Sequence, residues 1–226
     1  TFDTLVKTKY GKIMGFETDN GALVWKSIPY AKPPVGDLRW KPPQPVEPWE
    51  GIRQTTVLGK WATQAYPTGV RYGFIQESGM SEDCLYLNVL TPAKRDTDRL
   101  PVMVWFHGGG LWGQSGHRDI YNIPGFPQHG VVLVTVSHRL NVMGYMAHPA
   151  LSEESPQGTS GNYGMLDLVA AQRRGGVVAL PVSATSATCS RNSSITVNSR
   201  ADPTSSPRFS TRVCASMVSS ASSSAR

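Results

Sequence analysis

Cysteine is nearly absent from this chain: Cys84, Cys189 and Cys214 are the three among 226 residues. An odd count with no C-x-x-C pair excludes a protein built on a disulfide framework. The five histidines fall between His107 and His148 without ligand-like spacing, so no structural zinc and no other cofactor is expected. No run approaches the ~20 apolar residues of a membrane-spanning helix, and no signal peptide opens the sequence. Residues 173–226 lack lysine, tryptophan and tyrosine, and hold one acid, Asp202. Their seven arginines give that segment a net charge of +6, whereas residues 1–172 balance 15 basic against 15 acidic groups. The whole basic excess therefore sits in the last quarter. Its arginines are scattered and accompanied by a single ring, Phe209, which excludes a single-strand nucleic-acid binder, since bases need aromatic platforms between the cations.

What is present divides the chain in two. Residues 1–172 have the texture of a globular α/β protein. Residues 10–16 predict an early strand, and Asp19-Asn20-Gly21 a hairpin turn before Leu23-Val24-Trp25. A proline-rich arm over residues 28–43 must run extended. Further strands are predicted over 84–90, 101–106 and 131–136. Gly164 opens a helix with Asn162 as its N-cap, and Gly175-Gly176 closes it after about nine residues. Residues 173–226 hold 15 serines and 7 alanines with no sustained periodicity, too little apolar surface to offset the cost of ordering the chain. That tail is expected to be disordered.

The most informative stretch is His107-Gly108-Gly109-Gly110, directly after the uncharged run Val102-Met103-Val104-Trp105-Phe106. The run reads as a strand buried on both faces. Three successive glycines let the backbone take positive φ and aim its N–H groups inward, where they could hold a developing oxyanion during acyl transfer. An HGGG loop is a signature of lipases and esterases. The alternative reading of the loop alone is a glycine-rich strand-to-loop turn.

Five blocks, in order and in register, decide between these readings. They are Ile28-Pro29-Tyr30-Ala31 through Leu38-Arg39-Trp40; Ser81-Glu82-Asp83-Cys84-Leu85-Tyr86-Leu87-Asn88-Val89; residues 101–110; Val134-Thr135-Val136-Ser137-His138-Arg139-Leu140-Asn141-Val142-Met143-Gly144-Tyr145; and Gly161-Asn162-Tyr163-Gly164-Met165-Leu166-Asp167. Together they resemble the type-B carboxylesterase family, which includes cholinesterases and para-nitrobenzyl esterases. The resemblance covers residues 1–172, about three quarters of this chain, and matches the N-terminal third of a typical member.

The resemblance implies an α/β-hydrolase fold, here incomplete: the N-terminal part of a mostly parallel sheet. It implies hydrolysis of small-molecule carboxylic esters through an acyl-enzyme, without cofactor or metal. The N–H groups of Gly108, Gly109 and Gly110 would supply two of three oxyanion donors, the third coming from the residue after the nucleophilic serine. His107 would not be the catalytic base. Arg39 with Glu82, and Arg139 with Asp167, match two structural ion pairs, the rival view being that Arg139 or Asp167 takes part in chemistry. Trp112 would line the acyl pocket or merely pack. Cys84 matches a disulfide position whose partner is missing, because Ala62-Thr63-Gln64 occupies that stretch. It is expected to be a buried free thiol, which favours a cytoplasmic location.

The pattern stops after Gln172. The family continues with a G-x-S-x-G nucleophile elbow, expected near residues 193–203, yet no G-x-S-x-G occurs anywhere in the 226 residues, and Ser199 is only the nearest serine by position. Nucleophile, acid and base are therefore not found. The expectation is a shift of reading frame just after Gln172, with a truncated paralogue as the alternative, and resequencing the coding DNA tests it. An inactive chain without a well-packed core is expected, since parallel sheets need helices on both faces. The rival function is that of a non-catalytic, esterase-like interaction module.

Overall fold

The computed structural model describes residues 4–65, 79–94, 98–175 and 195–196. In chain order its strands are β1 (Leu5–Lys7), β2 (Lys12–Met14), β3 (Phe16–Glu17), β4 (Leu23–Pro29), β5 (Ile52–Gln54), β6 (Trp61–Ala62), β7 (Met80–Ser81), β8 (Tyr86–Thr91), β9 (Val102–Phe106), β10 (Val132–Val136) and β11 (Ile195–Thr196). The helices are α1 (Asn141–Tyr145), α2 (Pro149–Glu153) and α3 (Tyr163–Gly175). Apart from the last turn of α3 and β11, the disorder expected of residues 173–226 concerns residues outside those described, as do Ser199, Cys189 and Cys214.

The main sheet has six strands in the order β11-β9-β10-β8-β4-β3. Only β9 and β10 run parallel, in the register Val132 opposite Val102 to Val136 opposite Phe106. The other four pairings are antiparallel, so this part of the sheet is mixed rather than mostly parallel. The reason is local: β3 and β4 form a hairpin closed by Thr18 and Ala22, with Gly21 at φ +78°, and β4 then pairs antiparallel with β8. The early strand predicted over 10–16 is split into β2 and β3 at Gly15, where a Cβ would lie 2.3 Å from the Val24 carbonyl oxygen.

One face of the sheet carries the core. Trp25, Leu87, Val89, Val104, Val134 and Val136 pack there with Leu140 and Ala171 of α3. The expected lack of a packed core does not hold for this face, because the proline-rich arm (Tyr30, Ala31) and α3 cover it. The opposite face is thinner, with Val24, Leu90 and Leu133 buried against Phe16, Met103 and Trp105. Here a polar chain runs through the interior: Asn88 donates to Thr135 at 2.8 Å, and Thr135 donates to Asn122 at 2.8 Å.

Two further expectations need correction. Of β9 only Val104 is fully buried, whereas all five residues of β10 are; β9 lies next to the edge and meets only the two residues of β11 on its far side. Asn162 directly precedes α3, but at φ +58° its side chain makes no capping bond, and only its carbonyl enters the helix, accepting from Leu166 N–H at 3.0 Å. The helix runs 13 residues and passes Gln172 without interruption.

The arm is tied to the end of β10 by a buried hydrogen bond, in which Tyr30 Oη donates to the Ser137 carbonyl at 2.7 Å. Burial also pushes the Tyr30 phenol well above its ordinary pKa, so it stays a donor. Tyr30→Phe should destabilise the protein by about 1–3 kcal/mol in urea unfolding, the cost of a buried carbonyl left without its donor.

Candidate active site

Strand β9 ends at Phe106, His107 follows, and the chain turns sharply at Gly109 (φ +118°) and Gly110 (φ +61°), with Leu111 also left-handed at φ +68°. A Cβ on Gly109 would sit 2.2 Å from the Gly113 carbonyl oxygen, so glycine is obligatory there. The turn is closed by Trp112 and Gly113, whose N–H groups donate to the Gly109 carbonyl at 3.0 and 3.3 Å. All three glycines are exposed. The N–H groups of Gly108, Gly109 and Gly110 have no acceptor among the described residues.

The loop is held at both ends. At its start, His107 Nδ1 lies 2.8 Å from the Gly108 carbonyl oxygen. An acceptor carbonyl requires that nitrogen to carry the proton. Because the peptide is planar and trans, a Gly108 carbonyl drawn toward the His107 ring sends the Gly109 N–H to the opposite side. At its far end, Gln64 accepts from Gln114 N–H at 2.7 Å and donates to the Gln114 carbonyl at 3.0 Å, while Asn141 N–H donates to the Leu111 carbonyl at 2.7 Å. Sequence reasoning missed Gln64 and Asn141 as loop supports. No local signal marks a glutamine that clamps a backbone fifty residues away.

His107 is nearly enclosed, and its imidazole stacks on that of His138, with centroids 4.6 Å apart and planes 16° from parallel. Burial, reinforced by the His138 ring, pushes its pKa down to about 3. A neutral, walled-in imidazole whose Nδ1 proton is committed to a backbone carbonyl does not act as a general base. Trp112 is 74% exposed, which rules out the packing role among the described residues.

The two expected ion pairs both form. Arg39 donates to Glu82 through Nε at 2.6 Å and Nη2 at 2.8 Å near the surface. Arg139 donates to Asp167 through Nε at 2.8 Å and Nη2 at 2.7 Å, with the Asp167 side chain 0% exposed. Burial pushes the Asp167 carboxyl upward and the guanidinium opposes it. Both groups are sealed and both carboxylate oxygens are engaged, the arrangement expected of a structural pair. Cys84 is buried and free, its thiol pushed far up by burial, and it shares a small cavity with Ala62 and Thr63. Among the described residues no group of side chains could hold a metal ion, and no helix is long and apolar enough to cross a membrane.

The chain that carries this exposed triple-glycine turn and the buried Arg–Asp pair is similar to known proteins. The model of the carboxylesterase family matches residues 3–173. This chain belongs to that family. Fumonisin B1 esterase from Sphingopyxis macrogoltabida is 44% identical over 164 residues, which is 73% of this chain and 29% of that protein. Para-nitrobenzyl esterase from Bacillus subtilis is 39% identical over 168 residues, or 74% of this chain and 33% of that one. Among solved structures, a Geobacillus stearothermophilus carboxylesterase superimposes with a TM-score of 0.68 at 39% identity, covering 79% of this chain and 35% of the other. A PNB esterase superimposes at 0.70 with 36% identity, covering 80% and 36%. The fold is thus the α/β-hydrolase fold of the carboxylesterases, and the chain spans about a third of the length of these relatives.

Proposed function

We propose that residues 3–173 form the oxyanion-binding part of a serine-type carboxylesterase acting on small-molecule carboxylic esters. The N–H groups of Gly108, Gly109 and Gly110 supply two of the three donors. The observation that carries this reading is three exposed glycines whose N–H groups have no acceptor among the described residues, on a loop clamped at both ends. Such donors are set in place before charge develops, so they stabilise a tetrahedral oxyanion without reorganising at the moment of reaction. The family membership and the names of the relatives support ester hydrolysis as the chemistry.

The nucleophilic serine, its acid and its base are not supplied by these 226 residues, which contain no G-x-S-x-G. We infer that these 226 residues alone do not turn over esters. The end of the family match at residue 173 fits a change of reading frame there and a truncated paralogue alike.

The test is a pair of measurements. The 226-residue protein should neither hydrolyse p-nitrophenyl acetate nor be labelled by a serine-reactive phosphonate; turnover with labelling would refute the missing nucleophile. A chimera in which residues 3–173 replace the matching segment of the Bacillus subtilis para-nitrobenzyl esterase should be active. In it, Gly109→Ala should lower kcat by roughly 100- to 1000-fold, the usual cost of an oxyanion donor. An unchanged rate would defeat the assignment of the glycine loop.

A further inference from the structure

We propose that His138 is a positioning residue for the glycine loop, acting through the buried imidazole of His107. The proposal rests on reading that loop as the oxyanion site.

The argument starts from a contrast in rigidity. Residues 108–112 are exposed, and four left-handed or glycine positions in a row, residues 108–111, would leave such a loop free to sample many shapes. His138 sits at the opposite extreme. The residue before it is bonded on both sides of its backbone, Ser137 N–H donating to the Tyr86 carbonyl at 3.0 Å and its carbonyl accepting from Tyr30. The residue after it is Arg139, whose N–H donates to Asp167 at 3.1 Å and whose side chain is locked on the same carboxylate. The imidazole of His138 closes on its own strand end, with Nδ1 2.9 Å from the Arg139 carbonyl. It is 2% exposed and has nowhere to turn.

The ring stack carries this anchor to the start of the glycine loop, as the Asn141 N–H bond to the Leu111 carbonyl holds its far end. With the His138 face against it, the His107 ring cannot rotate about its Cβ without losing that contact, and this rotamer is the one that brings Nδ1 to the Gly108 carbonyl. His107 Nε2 is buried with no hydrogen-bond partner, so no polar contact on that side holds the ring. Stacking is therefore the restraint that keeps the ring plane, the Gly108 carbonyl and, across the planar peptide, the Gly109 N–H in one arrangement. A ring of similar shape serves this purpose whether or not it bears nitrogen.

The experiment is imidazole nitrogen NMR on the full 226-residue protein at pH 7. In the unsubstituted protein His107 should be the neutral tautomer protonated at Nδ1. A proton on Nε2 instead would overturn the proposal outright, and this needs no variant to fold. In His138→Ala the His107 Nδ1 proton should exchange with water about tenfold faster, the factor expected when an aromatic stack is lost, and the Gly109 and Gly110 amide resonances should move. His138→Phe should restore both. Unaltered His107 exchange in His138→Ala, or a Phe variant that behaves like the Ala variant, would refute it. Failure of the oxyanion reading shows elsewhere, as an unchanged rate in the Gly109→Ala chimera, and leaves the His107 proton where it is.

Discussion

Lowering the pH from 7 to 5.5 should strip most of the stability from this protein, before its carboxylates begin to titrate in bulk. Three histidines are buried in their neutral form: burial pushes His107 down to about 3, and His117 and His138 down to about 4. In the unfolded chain each takes up a proton near pH 6.5. Between those values the unfolded state binds more protons than the folded one, so stability rises with pH and is lost as pH falls. Each group contributes a limiting slope of about 1.4 kcal/mol per pH unit, and by pH 5.5 the three together remove on the order of 4 kcal/mol. Below about pH 3 the slope from these groups vanishes, because both states are then protonated. Urea unfolding at pH 7, 6 and 5.5 measures the effect. His138→Phe should reduce the slope by a third, and a pH-independent midpoint across this window would contradict the burial of all three rings.

Arg139→Met should cost about 3–5 kcal/mol, enough to unfold most small domains. The substitution leaves the Asp167 carboxylate in a fully enclosed site without its two guanidinium donors, keeping only the Arg139 backbone N–H. It also removes the Nη1 bond to the Lys41 carbonyl at 2.9 Å, which ties the proline-rich arm to the end of β10. Lysine is no substitute, since one ammonium cannot reproduce the planar fork that meets both carboxylate oxygens and Lys41 at once. The double variant Arg139→Met, Asp167→Leu should recover a large part of the loss, because an apolar pair of similar volume leaves no buried charge. Denaturant midpoints of the single and double variants measure this. A single variant within 1 kcal/mol of the parent would show that Asp167 finds another partner.

The elements most legible in the sequence are those with a strong local signal. Val132–Val136 and Tyr86–Thr91 are mostly apolar, uncharged runs, interrupted by Thr135 in the first and by Asn88 and Thr91 in the second, and both are central strands. Asp19-Asn20-Gly21 carries its own turn chemistry and makes the hairpin expected of it. Strand β9 looks equally apolar, but its depth depends on what lies beside it in the sheet, which no local window contains. The two ion pairs were reachable through the family resemblance, since Arg39 and Glu82 are 43 residues apart and Arg139 and Asp167 are 28 apart. The glycine loop announced itself by composition. Its supports did not: Gln64, Asn141 and His138 are ordinary residues in ordinary contexts, and only the folded chain brings them around residues 107–114.

All of these supports lie at or before residue 141, and the Arg139 anchor closes with Asp167. A protein is made from its N-terminus at a finite rate, and folding begins on the part already released. The glycine turn can thus take its final shape once the chain as far as Asp167 has been released. In a carboxylesterase built this way, the proposed oxyanion site is finished before the nucleophile has been synthesised.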